Sequence, residues 1–296
     1  MLAVHIQFEH QAVSTPDAIA LEIGDTALSY EKLNSLANRV AHALIARGTR
    51  PGDFIGICLD RSVAMIAGVL GILKAGAAYV PMDTEYPADR LAYMLEDSGV
   101  RLLIADSTQA RCLKIDDDRT LLLDDLDVLR SDKEHNPGLP VEDEQLIYMI
   151  YTSGSTGKPK GSLIYHRGFQ NLVDWYVRSF DFDGQSRVLH MTSPAFDLTQ
   201  KNLFAPLVSG GCLCLLSSRV YDANIIIDHI ERHRVTVVNC TPSAFGRLLN
   251  FADDRLYRRI ASLRYVFLGG EPISVPRLKS WLDNPHCHAQ VVNTYG

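Results

Sequence analysis

Short apolar runs alternate with amphipathic helical stretches along nearly all of the 296 residues. Leu33, Leu36, Val40, Leu44 and Ile45 recur at helical spacing and predict a helix that Gly48 ends. Residues 54–59 read as a buried strand, and Met65, Ile66, Val69, Leu70 and Leu73 line the next helix, which Gly76 closes. A strand at 78–80, a helix from about residue 88 to 98 and a strand at 101–105 follow. This β-α-β-α order predicts an α/β fold with a mainly parallel sheet, because parallel strands need a crossover between them. Residues 131–144 break the pattern, being polar and carrying Pro137, Gly138 and Pro140, and predict an exposed connection. The alternation resumes with strands at 188–191, 212–216, 235–238 and 265–268, and with helices across Leu203 and Leu207 and near residues 225–233. No internal repeat is present in the sequence.

Candidate chemistry is concentrated where the apolar run 146–151 gives way to Thr152, Ser153, Gly154, Ser155, Thr156, Gly157, Lys158, Pro159, Lys160 and Gly161. One reading is a Gly/Ser-rich surface linker. The other is an anion-binding loop, whose N–H groups and hydroxyls turn inward while lysines supply charge. Linkers seldom carry such ordered alternation directly off a buried strand, so the pattern points to phosphate, and to ATP in particular. It is not a Walker loop, which needs Gly, four residues, then Gly-Lys-Ser/Thr. Thr152 stands at the first glycine and Pro159 at the metal-binding hydroxyl. Pro159 also opposes an immediate helix start, which predicts a mobile loop between two strands, the second at 162–165.

Residues 151–161 resemble the phosphate-loop signature of the adenylate-forming superfamily, which includes acyl-CoA synthetases, luciferases and amino-acid-activating adenylation domains. Other stretches narrow the resemblance to adenylation domains of nonribosomal peptide synthetases. Leu28-Ser29-Tyr30-Glu31-Lys32-Leu33 is similar to their first core motif, and the run from Leu73 to Asp83 to their second. Phe196-Asp197-Leu198-Thr199 resembles the motif that opens the substrate pocket. Gly269-Gly270-Glu271-Pro272 and Asn293-Thr294-Tyr295-Gly296 resemble the segments that hold the adenosine.

The resemblance implies two stacked α/β subdomains with the active site in the crevice between them. It implies ATP-dependent activation of an α-amino acid to its adenylate, with a magnesium ion. The product would pass to the phosphopantetheine of a peptidyl carrier domain, beside a condensation domain. Thr152, Ser153, Gly154, Ser155, Thr156, Gly157 and Lys160 are the implied phosphate cradle, with Thr152 and Lys160 acting in catalysis. Gly269, Gly270, Glu271, Asn293, Thr294 and Tyr295 would hold the nucleotide. Asp197 would face the substrate ammonium, and Leu198, Lys201, Asn239, Phe267, Gly269 and Thr294 would surround its side chain. In the family the β-barrel part, the glutamate that binds magnesium and the small C-terminal domain follow the point where this sequence stops, so weak or absent adenylation by these residues alone is expected.

Simpler readings stand beside these. Asp197 precedes a helical stretch and could be an N-cap, and Gly269-Gly270-Glu271 could be a strand-ending turn. Lys201, four residues beyond Asp197, shares its helix face and, with Asn239, suggests a substrate with a polar or acidic side chain. An acyl- or aryl-CoA ligase, or a non-catalytic remnant that binds nucleotide or partner domains, remains an alternative; Asp197 discriminates, since a plain carboxylic acid offers no ammonium. A net charge of −6 without a basic stripe argues against a nucleic-acid surface. No apolar run reaches the roughly 18 residues of a membrane span, and the N-terminus lacks a secretory pattern. With the six scattered cysteines read as reduced and metal-free, a cytoplasmic protein with no bound metal at these positions is expected.

Overall fold

The computed structural model describes residues 2–124, 133–152, 158–218, 221–249 and 254–294. Its strands are β1 (Ile19–Ile23), β2 (Thr26–Ser29), β3 (Phe54–Cys58), β4 (Ala78–Pro81), β5 (Leu102–Ala105), β6 (Thr120–Leu122) and β7 (Leu146–Thr152). They continue with β8 (Lys160–Tyr165), β9 (Arg187–His190), β10 (Cys212–Leu215), β11 (Val237–Cys240), β12 (Tyr265–Gly269) and β13 (Gln290–Thr294). The helices are α1 (Val4–Ser14), α2 (Tyr30–Ala46), α3 (Val63–Lys74), α4 (Ala88–Asp97), α5 (Ser107–Leu113) and α6 (His166–Ser179). After them come α7 (Asp197–Val208), α8 (Ala223–Arg232), α9 (Pro242–Leu249), α10 (Asp254–Arg259) and α11 (Val275–Leu282).

The strands form two sheets, in the orders β13-β12-β11-β9-β10-β1-β2 and β6-β5-β3-β4-β7-β8. Every pairing is parallel except the hairpins β1–β2 and β7–β8. The α/β, mainly parallel expectation therefore holds. Helices α1, α2, α3, α6 and α7 share one core with strands of both sheets, through Phe8, Leu33, Leu70, Phe169 and Phe204. They form a helical layer between the sheets. A line of aromatic contacts crosses it, from Tyr79 to Tyr148 at 5.5 Å, to Phe169 at 5.4 Å and to Phe204 at 5.4 Å. Helix α4 covers the outer face of the six-stranded sheet, and α8, α9 and α11 cover that of the seven-stranded sheet.

Local signals explain the element starts. Ser29 opens α2 by accepting from the N–H of Lys32, and Ser62 opens α3 by accepting from that of Met65. Gly48 and Gly76 stop these helices with positive φ of 84° and 75°. The strand expected at 235–238 begins two residues late, because the N–H of Val235 still answers Ile230 O at the end of α8. The connection at 133–144 is irregular but tethered. Asn136 bonds Asn34 and Lys74, and Glu134 bonds Asn38 and Arg39. Lys74, from the second motif, is thereby held in the core with Glu9.

Tyr30 shows what the first motif contributes. It is fully buried, and its hydroxyl lies 2.8 Å from Gly211 O and 3.1 Å from Pro206 O, tying α2 to the turn before β10. A Tyr30→Phe variant leaves both carbonyls without that proton and should lose about 1–3 kcal/mol, read as a lower urea midpoint at unchanged slope.

The buried histidines set a pH dependence. His190 is fully buried with no partner on either ring nitrogen among the described residues, and burial, then the charge of Arg61, pushes its pKa down to about 3. Burial likewise lowers His5 to about 3 and His166 to about 4. The unfolded chain thus binds protons that the folded chain refuses. Their contribution is full above pH 6.5 and is lost as pH falls toward 3. Unfolding free energy should drop between pH 7 and pH 5, and the drop should be smaller in His190→Leu.

Candidate active site

Two edge strands, one from each sheet, border a cavity of about 400 Å³. Strand β8 is an edge of the six-stranded sheet and β13 an edge of the seven-stranded sheet. Alternation along the hairpin turns Tyr148, Ile150 and Thr152 of β7, and Ser162 and Ile164 of β8, into this space. Leu172 and Trp175, one turn apart on α6, form a wall, and Val292, Asn293 and Thr294 close the other side. Asp197, Leu198 and Lys201 from the first turns of α7 complete the lining.

The phosphate-loop residues Ser153, Gly154, Ser155, Thr156 and Gly157 lie outside the described residues, as does Tyr295. Their flanks are described. Thr152 lines the cavity, and the antiparallel register sets Lys160 directly opposite Thr152. Lys158 lies 5.5 Å over the ring of Tyr93, away from the lining.

Asp197 is the first residue of α7 and does not act as its N-cap, a position held by Phe196. Among the described residues its Oδ1 accepts only from its neighbour Leu198 N, at 2.7 Å, and the residue is otherwise exposed, on the cavity lining. Burial, reinforced by the charge of Asp197, pushes the Tyr148 hydroxyl pKa up. Lys201 is buried, with Nζ donating to Leu198 O at 3.0 Å and lying 5.5 Å from the Tyr176 ring. Burial lowers its pKa to about 8, with Asp197 opposing the shift. One helix turn therefore presents an anion and a desolvated cation to one half-apolar space.

Several residues expected around the ligands are not among those lining this cavity. Phe267 is fully buried, with its ring 4.9 Å from Tyr176 and 4.7 Å from Phe180; strand alternation aims it into the core beneath α6. Asn239 is buried in β11 with Nδ2 unpaired among the described residues, and it does not reach the cavity lining. Gly270, at φ +81°, makes the turn that ends β12. Glu271 accepts from the N–H and hydroxyl of Ser243 at 3.0 and 2.9 Å, so it satisfies the start of α9. Gly269 is not in the lining but lies directly behind two residues that are, Thr294 and Leu198. A Cβ there would sit 2.4 Å from Thr294 Oγ1 and 3.3 Å from Leu198 Cδ1, so its bare backbone lets β13 and α7 close together. Trp175 and Leu172 were not legible as site residues. Trp175 is left 53% exposed on its helix face, which only the folded structure reveals.

Among the lining residues Asp197 is the sole carboxylate. The described lining residues therefore do not by themselves compose a magnesium site. Cys212 and Cys214 share a strand face beside Glu22, a potential three-ligand group away from this cavity. All six cysteines are unpaired thiols. Among the described residues no helix is long and apolar enough to cross a membrane.

This combination, two parallel sheets with a hydroxyl- and lysine-bearing hairpin beside an acid at a helix start, defines a class. The profile of the family described as AMP-binding enzyme matches residues 8–296, and the chain belongs to that family of adenylate-forming ligases. Its relatives place it among the adenylation domains of nonribosomal peptide synthetases. Malpinin synthetase of Mortierella alpina is 38% identical over 297 residues, covering 99% of this chain and 4% of that protein. Tyrocidine synthase 1 of Brevibacillus parabrevis is 32% identical over 302 residues, covering 99% of this chain and 26% of that protein. Among solved structures, the nonribosomal peptide synthetase FmoA3 bound to α-methyl-L-serine-AMP superposes with a TM-score of 0.91 at 28% identity. That match covers all of this chain and 33% of the other. The AMPPNP-bound form of FmoA3 gives 0.89 over 99% of this chain and 31% of the other. The chain thus spans a small part of the curated relatives and about a third of the solved chains.

Proposed function

We propose that this chain forms the binding crevice of a domain that activates an α-amino acid with ATP. The observation that carries the reading is the shared cavity: Thr152, from the strand entering the glycine-rich segment, and Asp197 line the same space. In the proposed reaction a substrate carboxylate oxygen attacks the α-phosphorus of ATP, forming the acyl-phosphate bond as the bond to pyrophosphate breaks. The barrier is anionic repulsion and charge gathering on phosphate oxygens, so positioning and electrostatic stabilisation do the catalysis. Lys160 and the hydroxyl of Thr152 supply positive charge and a hydrogen bond to the polyphosphate. Asn293 and Thr294 border the nucleotide side. Asp197 holds the α-ammonium, and Lys201 faces a side chain that ends in a carboxylate, the group that best uses a buried ammonium. The product would pass to a phosphopantetheine thiol on a carrier domain of a synthetase module. Magnesium would draw its protein ligands from outside the described cavity.

The test is ATP–pyrophosphate exchange across a panel of amino acids, using the adenylation domain that contains this chain. Exchange that depends on an α-amino acid, greatest for acidic ones, is expected. Equal exchange with carboxylic acids lacking the amine would replace this reading with a CoA-ligase one. Binding of an adenylate analogue without any exchange would replace it with a non-catalytic role.

A further inference from the structure

The end of the seven-stranded sheet at which β9, β11 and β12 begin carries a second cavity of about 470 Å³. Four arginines, Arg187, Arg232, Arg234 and Arg264, converge there with His233 and a single carboxylate, Glu22. This is a concentration of positive charge on a chain of net charge −6. Like charges brought together in a partly enclosed space repel, and the repulsion is relieved when an anion joins them.

The internal partners absorb only part of this charge. Glu22 pairs with both Arg187 and His233, and Arg187 Nε also donates to His233 O. Arg232 pairs with Asp25 in an exposed contact of small worth. Arg264 reaches Asp183 only at 4.0 Å. The Arg234 guanidinium has no ion pair or hydrogen bond among the described residues. Its backbone is also costly: φ is +47°, two residues after the end of α8, in the left-handed region that suits glycine. A non-glycine residue held there costs stability, and such strain gathers at functional positions. The dipole of α8 favours a cation near its end, but it does not account for Arg187 and Arg264, which enter from two separate strand starts.

We infer that this cavity is a second anion site, which binds a compact phosphoanhydride such as pyrophosphate or the polyphosphate tail of a nucleotide. Planar guanidinium forks match phosphate oxygens in pairs. The hydroxyls of Thr236 and Ser262 are spent on backbone groups of Arg187 and Val235, so the guanidiniums, with the side-chain amide of Gln185, are the donors left for a ligand. Among the described residues the lining holds charged and polar side chains without a hydrophobic residue, which favours recognition of the phosphate chain over the base.

Calorimetric titration with pyrophosphate in magnesium-free buffer tests this in the protein containing the chain. A binding event is expected that survives Lys160→Ala, which separates it from the proposed nucleotide crevice. Arg234→Gly should weaken that event about tenfold, the loss of one charge-assisted contact, while raising Tm through relief of the left-handed strain. Arg264→Ala should weaken it without the gain in Tm. Glu22→Gln should tighten it severalfold by freeing Arg187 and His233. ATP competing with the same dependence on Arg234 supports the polyphosphate tail as ligand, and binding of pyrophosphate alone supports the free anion. Isotherms unchanged in Arg234→Gly and Glu22→Gln overturn the inference, as does a signal lost entirely in Lys160→Ala. A flat pyrophosphate titration beside binding of a glutamate-rich peptide at the same arginines also overturns it.

Discussion

An Asp197→Ala variant of the adenylation domain is expected to lose roughly a hundredfold or more in amino-acid-dependent exchange, expressed as kcat/KM. The estimate comes from removing one partner of a desolvated ion pair, which costs about 2–5 kcal/mol, where each 1.4 kcal/mol is tenfold. The cavity wall around the carboxylate is largely apolar, with Tyr148, Ile150, Ile164, Leu172 and Trp175 on it. A substrate ammonium left there without its counter-charge would be poorly solvated. Folding should be spared, because Asp197 is exposed and its described hydrogen bond goes only to its own neighbour Leu198. The check is exchange kinetics beside a thermal melt. Full activity at an unchanged Tm would remove Asp197 from the site and, with it, the amino-acid reading.

Lys201→Leu should abolish the preference for an acidic substrate. A site built to pair a charged group rejects a ligand lacking it because its own buried group is left unpaired. Wild-type protein should therefore favour an acidic amino acid over an apolar one of similar size by roughly a hundredfold, and the variant should lose that preference. A pH signature accompanies it. Burial holds the Lys201 pKa near 8, so its charge fades as pH rises through that value. The preference for acidic substrates should decline above about pH 8 in wild type and show no such decline in Lys201→Leu. A preference indifferent to both the substitution and pH would show that Lys201 only packs against Tyr176.

Much of the fold was legible because its signals are local. Periodicity marks α2, α3, α4 and α8, and Gly48 and Gly76 mark two of their ends. Elements whose pattern is short or mixed were not legible, including α1, the β1–β2 hairpin and β13. Those elements owe their existence to partners distant in sequence: β1 pairs with β10, and β13 with β12. The site divides in the same way. Thr152, Asp197, Leu198, Lys201, Asn293 and Thr294 meet at one cavity, while Phe267, Asn239, Gly270 and Glu271 do not. A motif fixes that a residue lies near a strand end. It does not fix which face of the strand the residue occupies, and a period of two makes that choice absolute.

The order of residues alone determined the α/β class, the family and the crowding of hydroxyl, glycine and lysine after a buried strand, since each depends on neighbours a few positions apart. Folding in three dimensions decided that edge strands of two different sheets would flank one space. It also decided that Asp197 would be left open to that space while Lys201 was desolvated beside it. The arginines of the second cavity converge only because three strands start at the same end of the sheet. Each of these depends on register and packing between distant segments, which no local pattern encodes.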